Sequence, residues 1–123
     1  MAYELIAFDM DGTLLDSHKE VLRSSVDAIS EAVAAGKRVA IASGRCPRMV
    51  SMYRESIPGV RYAICCNGAL VVDLREDRVL RSAPMSNEQV LELYERVRNL
   101  RVSFDVFING KVYLERSRWE IPH

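Results

Sequence analysis

An apolar run, Leu5-Ile6-Ala7-Phe8, breaks into Asp9-Met10-Asp11-Gly12-Thr13. No other stretch constrains the fold so tightly. Continued as an ideal strand, the run would set Asp9 and Asp11 on one face and Phe8 and Met10 on the other. Two neighbouring buried carboxylates are costly unless a cation or a proton offsets them. Either the strand ends at Phe8 with the acids on a loop, or a cation lies between them, and both can hold together. A carboxylate pair just after a buried strand lies where open α/β sheets place their ligand sites.

The segments downstream alternate in period. Glu4–Phe8 is a short continuous apolar strand, suited to a sheet covered on both faces. Val21–Ala35 carries apolar residues at helical spacing, and Gly36 is its stop. Val39–Ala42 is a second strand, and Pro47 opens a helix reaching about Glu55, broken by Pro58-Gly59. Tyr62–Cys66 is a third strand, ended by Asn67-Gly68. This β-α-β-α-β order predicts a parallel sheet with right-handed crossovers. Leu70–Asp73 and Arg78–Arg81 flank the charged turn Leu74–Asp77 as a hairpin, and Ser82-Ala83-Pro84 reads as a boundary. Beyond it, Ser86-x-x-Gln89 matches a capping box. Val90, Leu93, Tyr94, Val97 and Leu100 form the apolar stripe of a helix, read as core. Val102–Ile108 and Lys111–Glu115 surround Asn109-Gly110, a strong hairpin signal. The expected division is therefore residues 1–83 and an α-β-β unit, 84–123. Arg116–His123 carries little signal beyond Trp119, a candidate anchor.

The 17 basic and 17 acidic residues balance, so no general attraction to nucleic acid or to an anionic membrane is expected. No apolar stretch approaches a membrane span, and no basic segment precedes the first hydrophobic run as in a signal peptide. Cys46, Cys65 and Cys66 read as buried free thiols, and the expected compartment is the cytoplasm.

The residue types at the strand ends point to phosphate chemistry. A carboxylate such as Asp9 can attack phosphorus and divide one hard displacement into two steps. That chemistry needs a cation to offset phosphate charge. Asp11, two residues on, has the position of a general acid and then base. Gly12 permits a sharp turn whose N–H groups can receive phosphate oxygens, and Thr13 adds a hydroxyl. In a parallel sheet the ends of adjacent strands share one rim. Ser43 and the Gly44 N–H after the second strand, and Asn67 after the third, then face the same ligand. Ser43 also fits a helix N-cap, and Arg45 either meets the substrate or pairs with a local acid.

Asp9-Met10-Asp11-Gly12-Thr13-Leu14-Leu15 resembles motif I of the haloacid dehalogenase superfamily. Ala42-Ser43-Gly44-Arg45 resembles its motif II, with the Gly-Arg of the Cof-type branch. Cys66-Asn67-Gly68-Ala69 followed by Leu70-Val71-Val72-Asp73 resembles the Asn-Gly-Ala hairpin of that branch. The resemblance runs from about residue 3 to 115. It implies a partial Rossmann-like α/β core with the beginning of an α+β cap of the class IIB kind. It also implies Mg2+-dependent hydrolysis of a small phosphorylated metabolite, of the sugar phosphate type, through an aspartyl-phosphate. By motif position Asp9 is nucleophile and metal ligand, and Asp11 is acid/base and metal ligand. Met10, Gly12, Thr13, Ser43, Gly44, Arg45 and Asn67 hold phosphate and substrate. Thr13–Lys19 corresponds to a flap over the site, with His18 exposed on it.

The family's motif III Lys and motif IV acidic pair have no counterpart in these residues. Lys111 lies in the second hairpin and Lys37 at the far end of a strand. The expectation is a truncated form or natural fragment of a phosphatase. The alternatives are a phosphomutase and an inactive assembly module, the last forming a homodimer through the incomplete core or cap.

Overall fold

The computed structural model describes residues 3–115, so Trp119 and the other residues beyond 115 lie outside it. The chain forms two compact units, Met1–Ala83 and Pro84–His123. In the first, β1 (Leu5–Phe8), β2 (Arg38–Ala42), β3 (Tyr62–Cys65), β4 (Leu70–Asp73) and β5 (Arg78–Ser82) make one sheet in that order. β1, β2 and β3 are parallel, with Phe8 opposite Ile41 and Ala42 opposite Ile64. β4 and β5 continue the sheet antiparallel, so the expected hairpin joins the parallel strands directly. Helices α1 (Arg23–Ala34) and α2 (Pro47–Ser51) are the two crossovers. Right-handed connections in this strand order place both helices on the same face. The fold is the expected Rossmann-like α/β sheet.

The core lies under the helices. Ile29, Val39, Ile41, Val50, Ile57 and Ala63 are all at most 2% exposed. β2 is buried along Val39–Ile41, as a strand with neighbours on both sides should be. β1 departs from expectation. Among the described residues it pairs only with β2, and its exposure alternates, with Leu5 at 51% and Ile6 and Phe8 half-buried. An edge strand covered on one face alternates in this way.

Three boundaries move for local reasons. α1 starts at Arg23 rather than Val21, because Val21 bridges to Leu15 and Leu22 is the extended N-cap. It ends as expected before Gly36 (φ +80), where Lys37 N–H donates to Ala32 O and Gly36 N–H to Val33 O, a Schellman closure. α2 stops at Ser51 rather than about Glu55. Beyond it, Tyr53, Arg54 and Ser56 donate to carbonyls three residues back, tightening the chain into successive turns. β3 stops at Cys65, because Cys66 and Asn67 turn left-handed (φ 52 and 55).

In the second unit α3 (Asn87–Val97) starts at the expected capping box, with both reciprocal bonds present. β6 (Asp105–Ile108) and β7 (Lys111–Leu114) pair through Asn109-Gly110, both at positive φ as a type I′ turn requires. The first strand is three residues shorter than Val102–Ile108. The helical stripe is not the core expected of it. Val90, Tyr94 and Val97 are half-buried, while Leu93 is 42% and Leu100 57% exposed. One helix and two strands enclose little volume, and no described side chain of this unit is buried. Tyr94 packs on Phe104 and donates to Glu115 at 2.6 Å. No described helix is long and apolar enough to cross a membrane.

Candidate active site

The loop after β1 is built around Met10. Its side chain is fully buried, and its carbonyl accepts from the N–H groups of Thr13, Leu14 and Leu15 at 3.3, 3.1 and 2.8 Å. Leu14 and Leu15 are buried as well. Three apolar side chains thus pull the loop into the core. The strand cannot continue past Phe8, Gly12 takes φ +79, and Asp9 and Asp11 stay at the surface. The Met10 N–H, expected to meet phosphate, donates instead to Asp9 Oδ1 at 2.8 Å. The second Asp9 oxygen has no protein partner among the described residues. Gly12 and Thr13 are exposed beside it.

Asp11 is gripped from two sides. Arg45 Nε donates to Oδ2 at 2.7 Å and Nη2 to Oδ1 at 2.8 Å, and Lys19 Nζ reaches Oδ1 at 2.8 Å. The Arg45 guanidinium lies over the Tyr53 ring, 5.4 Å from its centre. Its forked bonding, reinforced by Lys19, holds the Asp11 carboxyl far below the ordinary carboxylate range. The same contact raises Arg45 above its usual value. Of the two open alternatives for Arg45, this arrangement takes the local acid.

Lys19 was not singled out from the sequence. It is delivered by a turn in which Asp16 Oδ1 accepts from the N–H groups of His18 (2.8 Å) and Glu20 (2.9 Å), with Lys19 itself at φ 63. The one legible signal was Asp16 opening a polar five-residue stretch before Val21, an Asx-turn composition. Tyr53 carried no signal. It enters through the turns that follow α2.

The ends of β2 and β3 are zipped together. Ser43 N–H donates to Ile64 O (2.9 Å), Cys66 N–H to Arg45 O (3.0 Å) and Asn67 N–H to Ser43 O (3.3 Å). These bonds require the left-handed Cys66 and Asn67, of which Asn tolerates that region well and Cys does not. Ser43 is buried, and its Oγ accepts from Arg45 N–H at 3.2 Å. It is not the N-cap of α2, which is Cys46 without a side-chain bond. A side chain at Gly44 would meet Asn67 Oδ1 at 3.0 Å, so glycine permits the two loops to approach. One rim therefore gathers Ser43, Gly44, Arg45 and Asn67, and Arg45 ties it to Asp11. Cys46, Cys65 and Cys66 are free, and burial pushes the Cys65 thiol up to about 11.

The described residues do not by themselves fit Mg2+. No group of three or more His, Cys, Asp or Glu among them is placed to hold an ion. Asp9 and Asp11 are two carboxylates where this ion wants near-octahedral oxygen, and both Asp11 oxygens are already taken by cations.

Fold and rim define an α/β protein with a candidate site at the carboxyl ends of its parallel strands, where open α/β sheets place their ligands. A family profile for haloacid dehalogenase-like hydrolases matches residues 6–122, and the chain belongs to that family. Pyridoxal phosphate phosphatase YbhA of Escherichia coli is 30% identical over 115 residues, covering 94% of this chain and 42% of that protein. Putative phosphatase YxeH of Bacillus subtilis is 32% identical over 114 residues, covering 90% of this chain and 42% of its own length. A haloacid dehalogenase-like hydrolase structure from B. subtilis superposes with a TM-score of 0.81 at 27% identity, covering 90% of this chain and 39% of that one. The chain thus spans well under half the length of these relatives.

Proposed function

We propose that this chain supplies the nucleophile half of a phosphatase for small phosphorylated metabolites. The observation that carries this reading is Asp9, which stands exposed at the rim with one carboxylate oxygen tethered to Met10 N–H and the other without a partner among the described residues. In the first step that oxygen attacks phosphorus, the Asp9 O–P bond forms and the ester P–O bond breaks. The leaving alkoxide takes a proton from the Asp11 carboxyl. In the second step water attacks the aspartyl-phosphate and Asp11 accepts its proton, which regenerates Asp9 and releases phosphate.

Asp11 cannot hold a proton while Arg45 and Lys19 grip it. An arriving phosphate dianion offers both cations a competing partner, and its negative charge raises the Asp11 pKa. Arg45 and Lys19 thereby switch from Asp11 to the substrate. The second unit is proposed as the beginning of a substrate-selecting cap, and Mg2+ as the cofactor of the whole protein. The name of the E. coli relative makes pyridoxal phosphate the first substrate to try alongside sugar phosphates.

The test is hydrolysis of a panel of small phosphate monoesters by the full-length protein, with and without Mg2+. Asp9→Asn is expected to lower turnover by at least about 10³-fold, and undiminished turnover would remove Asp9 from the role. Free phosphate as product separates a phosphatase from a phosphomutase, which returns an isomerised ester.

A second reading, a non-catalytic assembly module, is favoured by the gripped Asp11 and the lack of a closed metal site among the described residues. It requires a homodimer by sedimentation and no turnover in the wild-type chain.

A further inference from the structure

At the end of the sheet opposite Asp9, where β2 and β3 begin, lies a cavity of about 560 Å³. Five cationic side chains line it: Lys37, Arg38, Arg54, Arg61 and Arg75. No acid lines it. Its volume lies in the range of small-molecule sites. We propose that this cavity is an anion site for a small ligand bearing two phosphoryl groups, separate from the Asp9 rim.

The charges are not internally satisfied. Arg61 is neutralised by Asp73 at 2.9 Å and Glu76 at 3.1 Å. Among the described residues the Arg54 side chain donates only to the Leu74 carbonyl. The side chains of Lys37, Arg38 and Arg75 have no hydrogen-bond or ion-pair partner among the described residues, while the Arg75 N–H donates to Asp73 Oδ1 at 2.9 Å. Four cations without a carboxylate therefore face one concavity. The C-terminus of α1, just before Lys37, accounts for little of this, because a helix end carries only about half a negative charge. The remaining like charges repel one another, and a shared anion relieves that repulsion. Arginine forks match phosphoryl oxygens in pairs, so several of them around one space favour more than one phosphoryl group.

The backbone holds the cluster in place. Arg38 N–H donates to Glu4 O, Arg61 N–H to Val39 O and Leu74 N–H to Arg61 O at 2.7 Å. Gly59 (φ +90) lies so close to α1 that a side chain there would meet Val33 at 3.0 Å. Val60 and Leu74, both buried, close the cavity on its apolar side. A half-open concavity of this size on a chain of zero net charge suits a compact anion better than a nucleic acid, which needs an extended positive surface.

The test is a titration of the chain with inorganic pyrophosphate in metal-free buffer, followed by amide NMR. Saturable shifts are expected at residues 36–39, 60–62 and 74–76. The exposed double variant Arg38→Gln/Arg75→Gln is expected to weaken binding by about tenfold or more. Asp9→Asn should leave it unchanged, which separates this site from the Asp9 rim. Shifts confined to residues 9–13 and 43–45, or no saturation by about 10 mM, would overturn the proposal. So would equal affinity in the double variant, with its native dispersion retained. A short single-stranded oligonucleotide that binds the same residues more tightly than pyrophosphate would overturn the assignment to a small ligand.

Discussion

Two cations converge on Asp11 from different distances along the chain, Lys19 eight residues on and Arg45 thirty-four residues on. Arg45 is the stronger holder. Its side chain is 17% exposed against 59% for Lys19, so solvent and salt screen it less. A carboxylate with a depressed folded pKa contributes stability above its unfolded value, about 3.9 for Asp, and loses it as pH falls toward the folded value. The grip on Asp11 is therefore complete at neutral pH and fails only in strong acid. In an NMR titration of the carboxyl carbon, Asp11 is expected to stay ionised at about pH 4, where an ordinary aspartate is half protonated. Arg45→Ala should move its midpoint up toward the ordinary value, and Lys19→Ala should move it less. An unmoved midpoint in Arg45→Ala would mean that the forked bond does not hold this carboxylate, and the proposed switch of Arg45 to substrate would fall with it.

Among the elements, α3 gives the cleanest measure of local chemistry. Ser86 Oγ accepts from Gln89 N–H at 3.2 Å, and Gln89 Oε1 accepts from Ser86 N–H at 2.8 Å. No described side chain of this unit is buried, so packing cannot mask the cap. Ser86→Ala is expected to cost the helix about 1 kcal/mol, read as faster amide exchange over 87–90, and Ser86→Asp should restore protection. Unchanged exchange in Ser86→Ala would assign the helix start to something else. This box and Asn109-Gly110 were legible because their physics is local, completed within four residues. The three parallel strands were legible because each is an apolar run ended by polar or small residues. What stayed hidden depends on distant neighbours. The left-handed Cys66 is imposed by carbonyls of Ser43 and Arg45, which no local pattern at Cys66 announces. Lys19 reaches Asp11 only after Asp16 has folded its turn. The Ser43, Gly44 and Asn67 grouping was legible from strand order alone. The engagement of Met10 N–H with Asp9 was not, because it depends on the rotamer of a surface carboxylate.

At the scale of the whole chain, burial is divided unequally. The first unit holds every buried side chain described, centred on β2, β3 and the residues beneath α1 and α2. The second unit has a capped helix, one aromatic contact and a two-stranded ribbon, an arrangement of marginal independent stability. Protection from exchange follows the free energy of the opening that exposes each amide. The slowest amides are thus expected in β2 and β3, at Val39–Ile41 and Ala63–Cys65, with those of α3, β6 and β7 exchanging faster by about two orders of magnitude or more. β1 should fall between, because its amides share one ladder with β2 while its other edge has no partner among the described residues. A denaturant series followed by exchange should accordingly show the second unit opening first and the first unit opening as one cooperative block. If all seven strands and α3 instead lost protection together at one midpoint, the second unit would be drawing its stability from the first. Its marginal contacts would then be a poor guide to how this chain holds together.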